Sequence, residues 1–221
     1  IFNFAFSAPI YSHQLPHTNV QSKLRHLQQT LEGELHFDAL HRTLYATDAS
    51  VYKELPLAVA YPRSVEDVKK LIRFATENGT SLIPRTAGTS LGGQCVGTGI
   101  VVDVSKHWNK ILEINVAERW VRVQPGVIRD ELNVFLAKHG LFFGPVTATS
   151  NRAMIGGMVG NNSCGATSIV HGTTRDHVLE IEAILSDGSE VQFGSMDDAD
   201  FMKKTEEETL EGAVYRQLIE A

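Results

Sequence analysis

Sixteen residues from Pro84 to Gly99, PRTAGTSLGGQCVGTG, hold five glycines and no charged side chain after Arg85. A backbone this bare lets main-chain N–H groups converge on an anion, and phosphate is the first ligand to consider. The two common phosphate loops do not fit. A Walker loop needs Gly-Lys-Ser/Thr, and no lysine occurs between Lys70 and Lys106; a dinucleotide fingerprint needs its glycines to open a helix. Here the glycines lead into Ile100-Val101-Val102-Asp103-Val104, a β-branched run that reads as a strand. A strand-to-strand phosphate loop is the expectation.

A second bare stretch runs from Gly144 to Gly172, GPVTATSNRAMIGGMVGNNSCGATSIVHG. It has no clear period and is too long for an idle connection. Gly156, Gly157 and Gly165 allow close backbone approach, and Thr147, Thr149, Ser150, Asn161, Asn162 and Ser163 add small polar groups. Two such loops imply one extended ligand clamped between two lobes.

Other chemistry is weaker. Nine histidines are scattered, and Cys95 and Cys164 make neither a disulfide framework nor a zinc motif. Both cysteines are read as small buried residues. His171 is the best placed histidine but reads as a packed, hydrogen-bonded residue, and Asp176 as a turn or cap residue. No catalytic residue and no metal ligand is assigned.

The elements that must position the loops follow from periodicity. Val20, Leu24, Leu27 and Leu31 predict a helix over 19–32, and residues 55–62 a strand. Ser64 with Asp67 marks a helix start, Val65 to Ala75 a helical face, Asn78-Gly79 its end, and Ser81-Leu82-Ile83 a second strand, together a β-α-β unit. The first loop leaves the carboxyl end of that strand, the usual ligand edge of parallel sheets. Further on, KILEINV and WVRVQPG alternate as antiparallel strands, and Ile128, Leu132, Phe135 and Leu136 predict a helix closed by Gly140. VLEIEAILSDGSEVQF reads as a hairpin turning at Ser186-Asp187-Gly188. The lobes meet near 104–110. The acidic runs after Met196 read as solvated surface.

With 221 residues, 43% hydrophobic, 21% charged and a net charge of −6, the chain reads as globular and without a large nucleic-acid surface. Low cysteine content points to a reducing, cytoplasmic setting. The apolar first sixteen residues are too short to span a bilayer, so membrane contact is not indicated, and they are expected to pack on the core. The last residues read as a helix without a terminator, so the chain is expected to be part of a longer one.

PRTAGTSLGGQ followed by TSNRAMIGGMVGNNSCGATSIVHGTTRDHVLEIEAILSDG resembles the FAD-binding domain of the vanillyl-alcohol oxidase / p-cresol methylhydroxylase type. The resemblance covers about residues 43 to 195 and points to the branch of FAD-linked 2-hydroxy-acid dehydrogenases. It implies an α+β fold in two lobes, a small β-α-β lobe and a larger, mainly antiparallel lobe with helices. The implied division is an N-terminal helical segment 1–42, a first lobe 43–105, a second lobe 106–195 and the start of a downstream segment 196–221.

The resemblance also implies which residues surround FAD. Pro84, Arg85, Thr86 and Ala87 would lead into a pyrophosphate cradle of Gly88, Thr89, Ser90, Leu91, Gly92 and Gly93. Gly144, Pro145, Thr149, Ser150 and Ile155 would begin a second wall, with Gly156 and Gly157 at the closest approach, where a side chain would also meet forbidden torsions. Asn161, Asn162, Ser163 and Gly165 would continue it, and Gly172 and Ile184 would flank the flavin. Several superfamily members attach flavin through a histidine after the loop glycine; here Thr89 holds that place, so the flavin is expected to be non-covalent.

The expected substrate is a small 2-hydroxy acid handled by a downstream domain of the same chain. Other readings are a UDP-N-acetylenolpyruvoylglucosamine reductase-like enzyme, a flavin-binding electron-transfer or assembly module, and a nucleotide-binding regulatory domain.

Overall fold

The computed structural model describes residues 17–220. The expectation for the first sixteen residues lies outside the described residues.

Helix α1 (His17–Thr30) lays Leu24 and Leu27 against a four-stranded sheet, and β1 (Glu34–His36) is its edge strand. A short helix α2 (Ala39–Leu44), capped by the Asp38 side chain, leads toward β2 (Ala58–Tyr61). Helix α3 (Val65–Asn78) begins at Ser64, whose hydroxyl accepts the Asp67 N–H, and ends at Gly79 with φ 59°, as its sequence signals require. It delivers the chain to β3 (Leu82–Arg85); β4 (Ile100–Asp103) follows the glycine loop.

The strand order is β1-β2-β4-β3, with β4 parallel to both neighbours and β1 antiparallel to β2. The expected β-α-β unit is therefore split, because β4 lies between its two strands. Strand β4 is buried along its whole length, and the most apolar strand takes the central place. Since β3 and β4 are parallel, the loop starts at the carboxyl edge of the sheet and returns along it to the amino edge, where Leu57 N–H meets the Thr98 and Gly99 carbonyls.

Asp67 carries more than the helix start. Its side chain is fully buried and accepts N–H groups from Glu32 (2.9 Å), Gly33 (2.9 Å) and Arg63 (3.0 Å), tying the α1–β1 turn to α3. Burial pushes its carboxyl pKa up, but the backbone N–H groups outweigh that, and the pKa is lowered. The charged form therefore favours the folded state above the ordinary carboxylate pKa, and this contribution is lost as pH falls through the lowered folded value. Asp67→Asn should cost about 2 kcal/mol near neutral pH and show a shallower loss of stability in acid than the parent. Urea melts from pH 7 to pH 3 check this; parallel stability curves would contradict it.

The second half holds two separate antiparallel ladders. One is β5 (Ile111–Asn115) with β6 (Trp120–Val123), and its apolar face closes with α4 (Arg129–Ala137) on a second core around Val127, Leu132 and Leu136. Helices α5 (Ile155–Gly160) and α6 (Ser168–His171) lie within the second loop, followed by a 3-10 turn at Thr174–His177. The other ladder is β7 (Glu180–Ile184) with β8 (Glu190–Gly194), the expected hairpin. Arg122 on β6 pairs with Glu180 and Glu182 on β7, and Lys69 on α3 pairs with Glu190 at 2.7 Å, so charges join the ladders and tie the hairpin to the first sheet.

Helices α7 (Asp198–Glu206) and α8 (Leu210–Glu220) close the described chain. The acidic residues of α7 are exposed as expected, while Tyr215 of α8 is buried against Phe193 and Phe201.

Candidate cofactor site

Pro84 and Arg85 end β3, and residues 86–99 form the loop. Gly88 has φ 65°, the left-handed region, and a side chain there would strike the Arg85 guanidinium at 2.5 Å. Arg85 is itself fixed: it donates to the Thr47 carbonyl at 2.8 Å and its charge lies over the Tyr45 ring at 4.9 Å. Burial, then the bond to Asp103 at 2.6 Å, pushes the Tyr45 phenol far above its ordinary pKa, so it stays neutral. The stack Asp103–Tyr45–Arg85–Gly88 thus sets the loop from beneath.

Among the N–H groups from Ala87 to Gly93, that of Gly92 meets the Ser90 hydroxyl at 3.4 Å. The others donate to nothing among the described residues. The Ser90 hydroxyl is turned onto the Gln94 side chain. A cleft of about 450 Å³ opens beside Gly92, Gly93 and Val96, with Val51 to Glu54 as its other wall. Leu91 is 81% exposed at the loop tip.

The second loop is held by α4. Buried Arg129 donates to the carbonyls of Pro145 (2.9 Å) and Phe143 (3.0 Å) and pairs with Asp130 at 2.9 Å. Asp130 in turn accepts the Ser150 hydroxyl at 3.0 Å, and Arg129 N–H meets the Ala153 carbonyl at 2.9 Å. Gly144, Pro145, Thr149 and Ser150 are thereby fixed, and the Ser150 hydroxyl is committed to the protein. The Thr147 hydroxyl is buried with no partner among the described residues.

Ile155, Gly156 and Gly157 open α5, and Asn161 is its C-cap. Gly156 is bare because Pro125 lies 2.5 Å from where a Cβ would stand, and Gly165 because the Val146 carbonyl occupies that place. Both close approaches are made by the protein itself. Gly157 differs: it is exposed, and a Cβ there would lie 2.6 Å from the Thr86 hydroxyl of the first loop. Gly157 is helical, so the expected torsional constraint does not apply and space is the reason. Asn161 also reaches the first loop, accepting Gln94 Nε2 at 3.5 Å. The two bare loops therefore meet.

Asn162 has φ 44° and accepts the Arg175 N–H, while the Ser163 carbonyl accepts both the N–H and the hydroxyl of buried Thr174. Gly172 is the C-cap of α6 with φ 75°. Asp176 is the cap residue expected, in a reciprocal box with Thr173. His171 is half-buried, its ring edge-on to Phe142 and its carbonyl bonded to His177 Nε2 at 2.7 Å. Ile184 lies on β7, whose hairpin is tied to α3 rather than to either loop.

One cysteine reading is corrected. Cys164 is exposed, following Ser163, whose carbonyl is turned inward onto buried Thr174; Cys95 is half-buried, and burial pushes its thiol pKa up.

Sequence reasoning missed two supports. Arg129 is in phase with Leu132 and Leu136, and a cation on an apolar face was the available signal. Tyr52 lies under Gly93, where a Cβ would meet its ring at 2.7 Å, and Ala49 N–H meets the Gly88 carbonyl at 3.1 Å.

The model of the FAD binding domain family matches residues 56–194. The chain belongs to this FAD-binding family. It is 42% identical over 205 residues to D-2-hydroxyglutarate dehydrogenase of Pseudomonas putida, covering 91% of this chain and 20% of that one. It is 34% identical over 155 residues to the glycolate oxidase subunit GlcD of Bacillus subtilis, covering 69% and 33%. The fold is shared with 6-hydroxy-D-nicotine oxidase of Arthrobacter nicotinovorans at TM-score 0.67 and 23% identity, over 78% of this chain and 38% of that one. The chain thus spans about a fifth of the length of the D-2-hydroxyglutarate dehydrogenase it matches.

FAD is the cofactor of the family, and the site fits it. Free amides on a left-handed turn suit a pyrophosphate, and the unpartnered Thr147 hydroxyl suits a polar chain lying along the second loop. No described helix is long and apolar enough to cross a membrane.

Proposed function

We propose that these residues are the flavin-binding portion of a dehydrogenase that oxidises a small 2-hydroxy acid. The observation that carries this is the meeting of the two bare loops at Thr86 and Gly157, in a chain 42% identical to a D-2-hydroxyglutarate dehydrogenase. In this reading residues 43–105 and 106–195 are the two lobes and the segment from 196 continues toward a substrate domain.

The amides from Ala87 to Gly93 hold the pyrophosphate, with Thr89 supplying a further hydroxyl. Thr147, Thr149 and the free side-chain donors of Asn161 and Asn162 line the path of the ribityl chain and adenosine. Arg85 and Arg129 act behind the backbone: their charges hold carbonyls and keep the amides aimed. When bound, FAD supplies the acceptor for the hydride that leaves the hydroxyl-bearing carbon. Among the described residues we assign no group to the substrate proton.

Purified protein should hold FAD non-covalently, because Thr89 has no nucleophilic nitrogen or sulfur. Acid precipitation should leave the yellow colour in the supernatant. Flavin that stays with the pellet would refute the non-covalent reading, and no FAD affinity on titration would sink the function. The substrate class is tested on the full-length natural protein by anaerobic bleaching of bound flavin with D-2-hydroxyglutarate, D-lactate and glycolate; no bleaching with any of them would exclude it.

A further inference from the structure

Away from the two loops, the sequence HFDALH brings three donor side chains together where β1 ends and α2 begins. Among the described residues, His36, Asp38 and His41 form the one group of three ligating side chains whose donor atoms all lie within 4.8 Å of one another. The imidazoles are stacked, with centroids 3.8 Å apart and planes 9° from parallel, so their in-plane lone pairs meet on one ion only once the His41 ring turns out of the stack.

The two oxygens of Asp38 have different tasks. Oδ1 accepts the His41 N–H at 3.1 Å and caps α2. Oδ2 is turned to the rings, 2.8 Å from His41 Nδ1 and 4.0 Å from His36 Nδ1. Neighbouring donors on a tetrahedral ion about 2.1 Å away stand roughly 3.4 Å apart. The first pair, a hydrogen bond now, is closer than that and the second wider, and both reach it by turns of the exposed carboxylate and of the His41 ring. Capping and coordination therefore do not compete for the same atom.

The ring of His36 is also oriented from behind. Its Nε2 faces Glu34 Oε2 at 3.4 Å, and Glu34 is held by Lys106 through both oxygens at 2.7 Å and by His107 at 3.3 Å. A carboxylate on Nε2 keeps the proton there and leaves the Nδ1 lone pair toward Asp38. This is the carboxylate–histidine arrangement that supports metal ligands.

We propose that His36, Asp38 and His41 form a site for one divalent transition-metal ion of the Zn²⁺ type, separate from the cofactor loops. Two imidazole nitrogens and one carboxylate oxygen suit Zn²⁺, and the half-exposed setting leaves further positions to water. The ion would clip α2 to the edge strand. Tyr45, the C-cap of α2, lies beneath Arg85 and the first loop, so the clip would brace the end of the stack that supports Gly88.

The test uses the metal alone. Zn²⁺ is titrated calorimetrically into the chain, with Co²⁺ ligand-field absorbance as a second readout, for the parent, the double variant H36Q/H41Q and D38N. Asp38→Asn separates the roles, since an asparagine oxygen still caps α2 but no longer carries the ligand charge. The parent is expected to bind one equivalent more tightly than any residual histidine sites. That equivalent should be lost in H36Q/H41Q and weakened by about 100-fold in D38N, with FAD affinity in the absence of Zn²⁺ unchanged in both. At 100-fold excess over its Kd, Zn²⁺ should raise the melting temperature of the parent by about 5–10 °C and leave H36Q/H41Q unmoved. The same stoichiometry and affinity in parent and H36Q/H41Q, or no Zn²⁺ bound by the parent, would overturn the proposal.

Discussion

Gly157→Val is expected to weaken FAD binding by roughly 100-fold, about 2.7 kcal/mol, while leaving the cooperative unfolding of the apoprotein nearly intact. A Cβ at this position stands 2.6 Å from the Thr86 hydroxyl, and valine adds two methyl groups. Either Thr86 and the start of the first loop retreat, or α5 tilts away; both pull apart the loops whose meeting makes the proposed site. Overpacking of this kind costs about 1–3 kcal/mol where both loops are held in place, as bound FAD would hold them, and is relieved in the apoprotein when the loops separate. The helix itself tolerates the change, because the backbone there is ordinary and glycine is the poorer helix former.

A cycle with Thr86 isolates the cause. Gly157→Ala should lose less affinity than valine, and T86A/G157A should bind FAD better than the two single losses add up to predict, since removing the hydroxyl reopens the space. Cys164→Ser, at an exposed side chain nearby, should stay within about threefold of the parent. Fluorescence titration of FAD against each purified variant decides the matter. Parent-like affinity in Gly157→Val would mean that the second loop is no cofactor wall, and strict additivity would remove the inter-loop contact from the explanation.

What could be read in the sequence was whatever repeats at short range. The face of α3, its Ser64 start and Gly79 stop, and the β7–β8 hairpin with its Ser-Asp-Gly turn are all local patterns, and all are present. The place of β4 between β2 and β3 was not legible, because strand order is settled by pairing across distant segments. Helix α5 was hidden for a different reason. IGGMVG has three glycines in six residues, against helix propensity; Gly156 and Gly157 are there because Pro125 and Thr86 leave no room for a side chain. The glycine count overstated how much of the bareness can face a ligand: Gly156 and Gly165 are bare for the protein's own packing.

The same distinction governs Arg129, which sequence reasoning passed over and whose loss should have the largest effect on stability. Its guanidinium is buried with three partners, the carbonyls of Phe143 and Pro145 and the Asp130 carboxylate. Arg129→Met keeps the length and apolar stem and removes the donors. Two carbonyls then lose their donors and Asp130 its ion partner, at a cost of about 3 kcal/mol, or a fall in melting temperature of roughly 6–12 °C. Arg129→Lys should lie between, because a single ammonium cannot replace the planar fork that reaches all three acceptors at once. The damage should reach the cofactor indirectly. With the Asp130–Ser150 link and the Pro145 anchor loosened, residues 144–153 should exchange their amides faster in the apoprotein. FAD should bind about tenfold more weakly, and saturating FAD should recover much of the lost stability because binding selects the ordered loop. Hydrogen exchange and melting of apo and FAD-loaded Arg129→Met measure both halves. Unchanged exchange across 144–153 together with a melting temperature within about 1 °C of the parent would show that the second loop holds its shape without this cation, and the support assigned to α4 would have to be sought elsewhere.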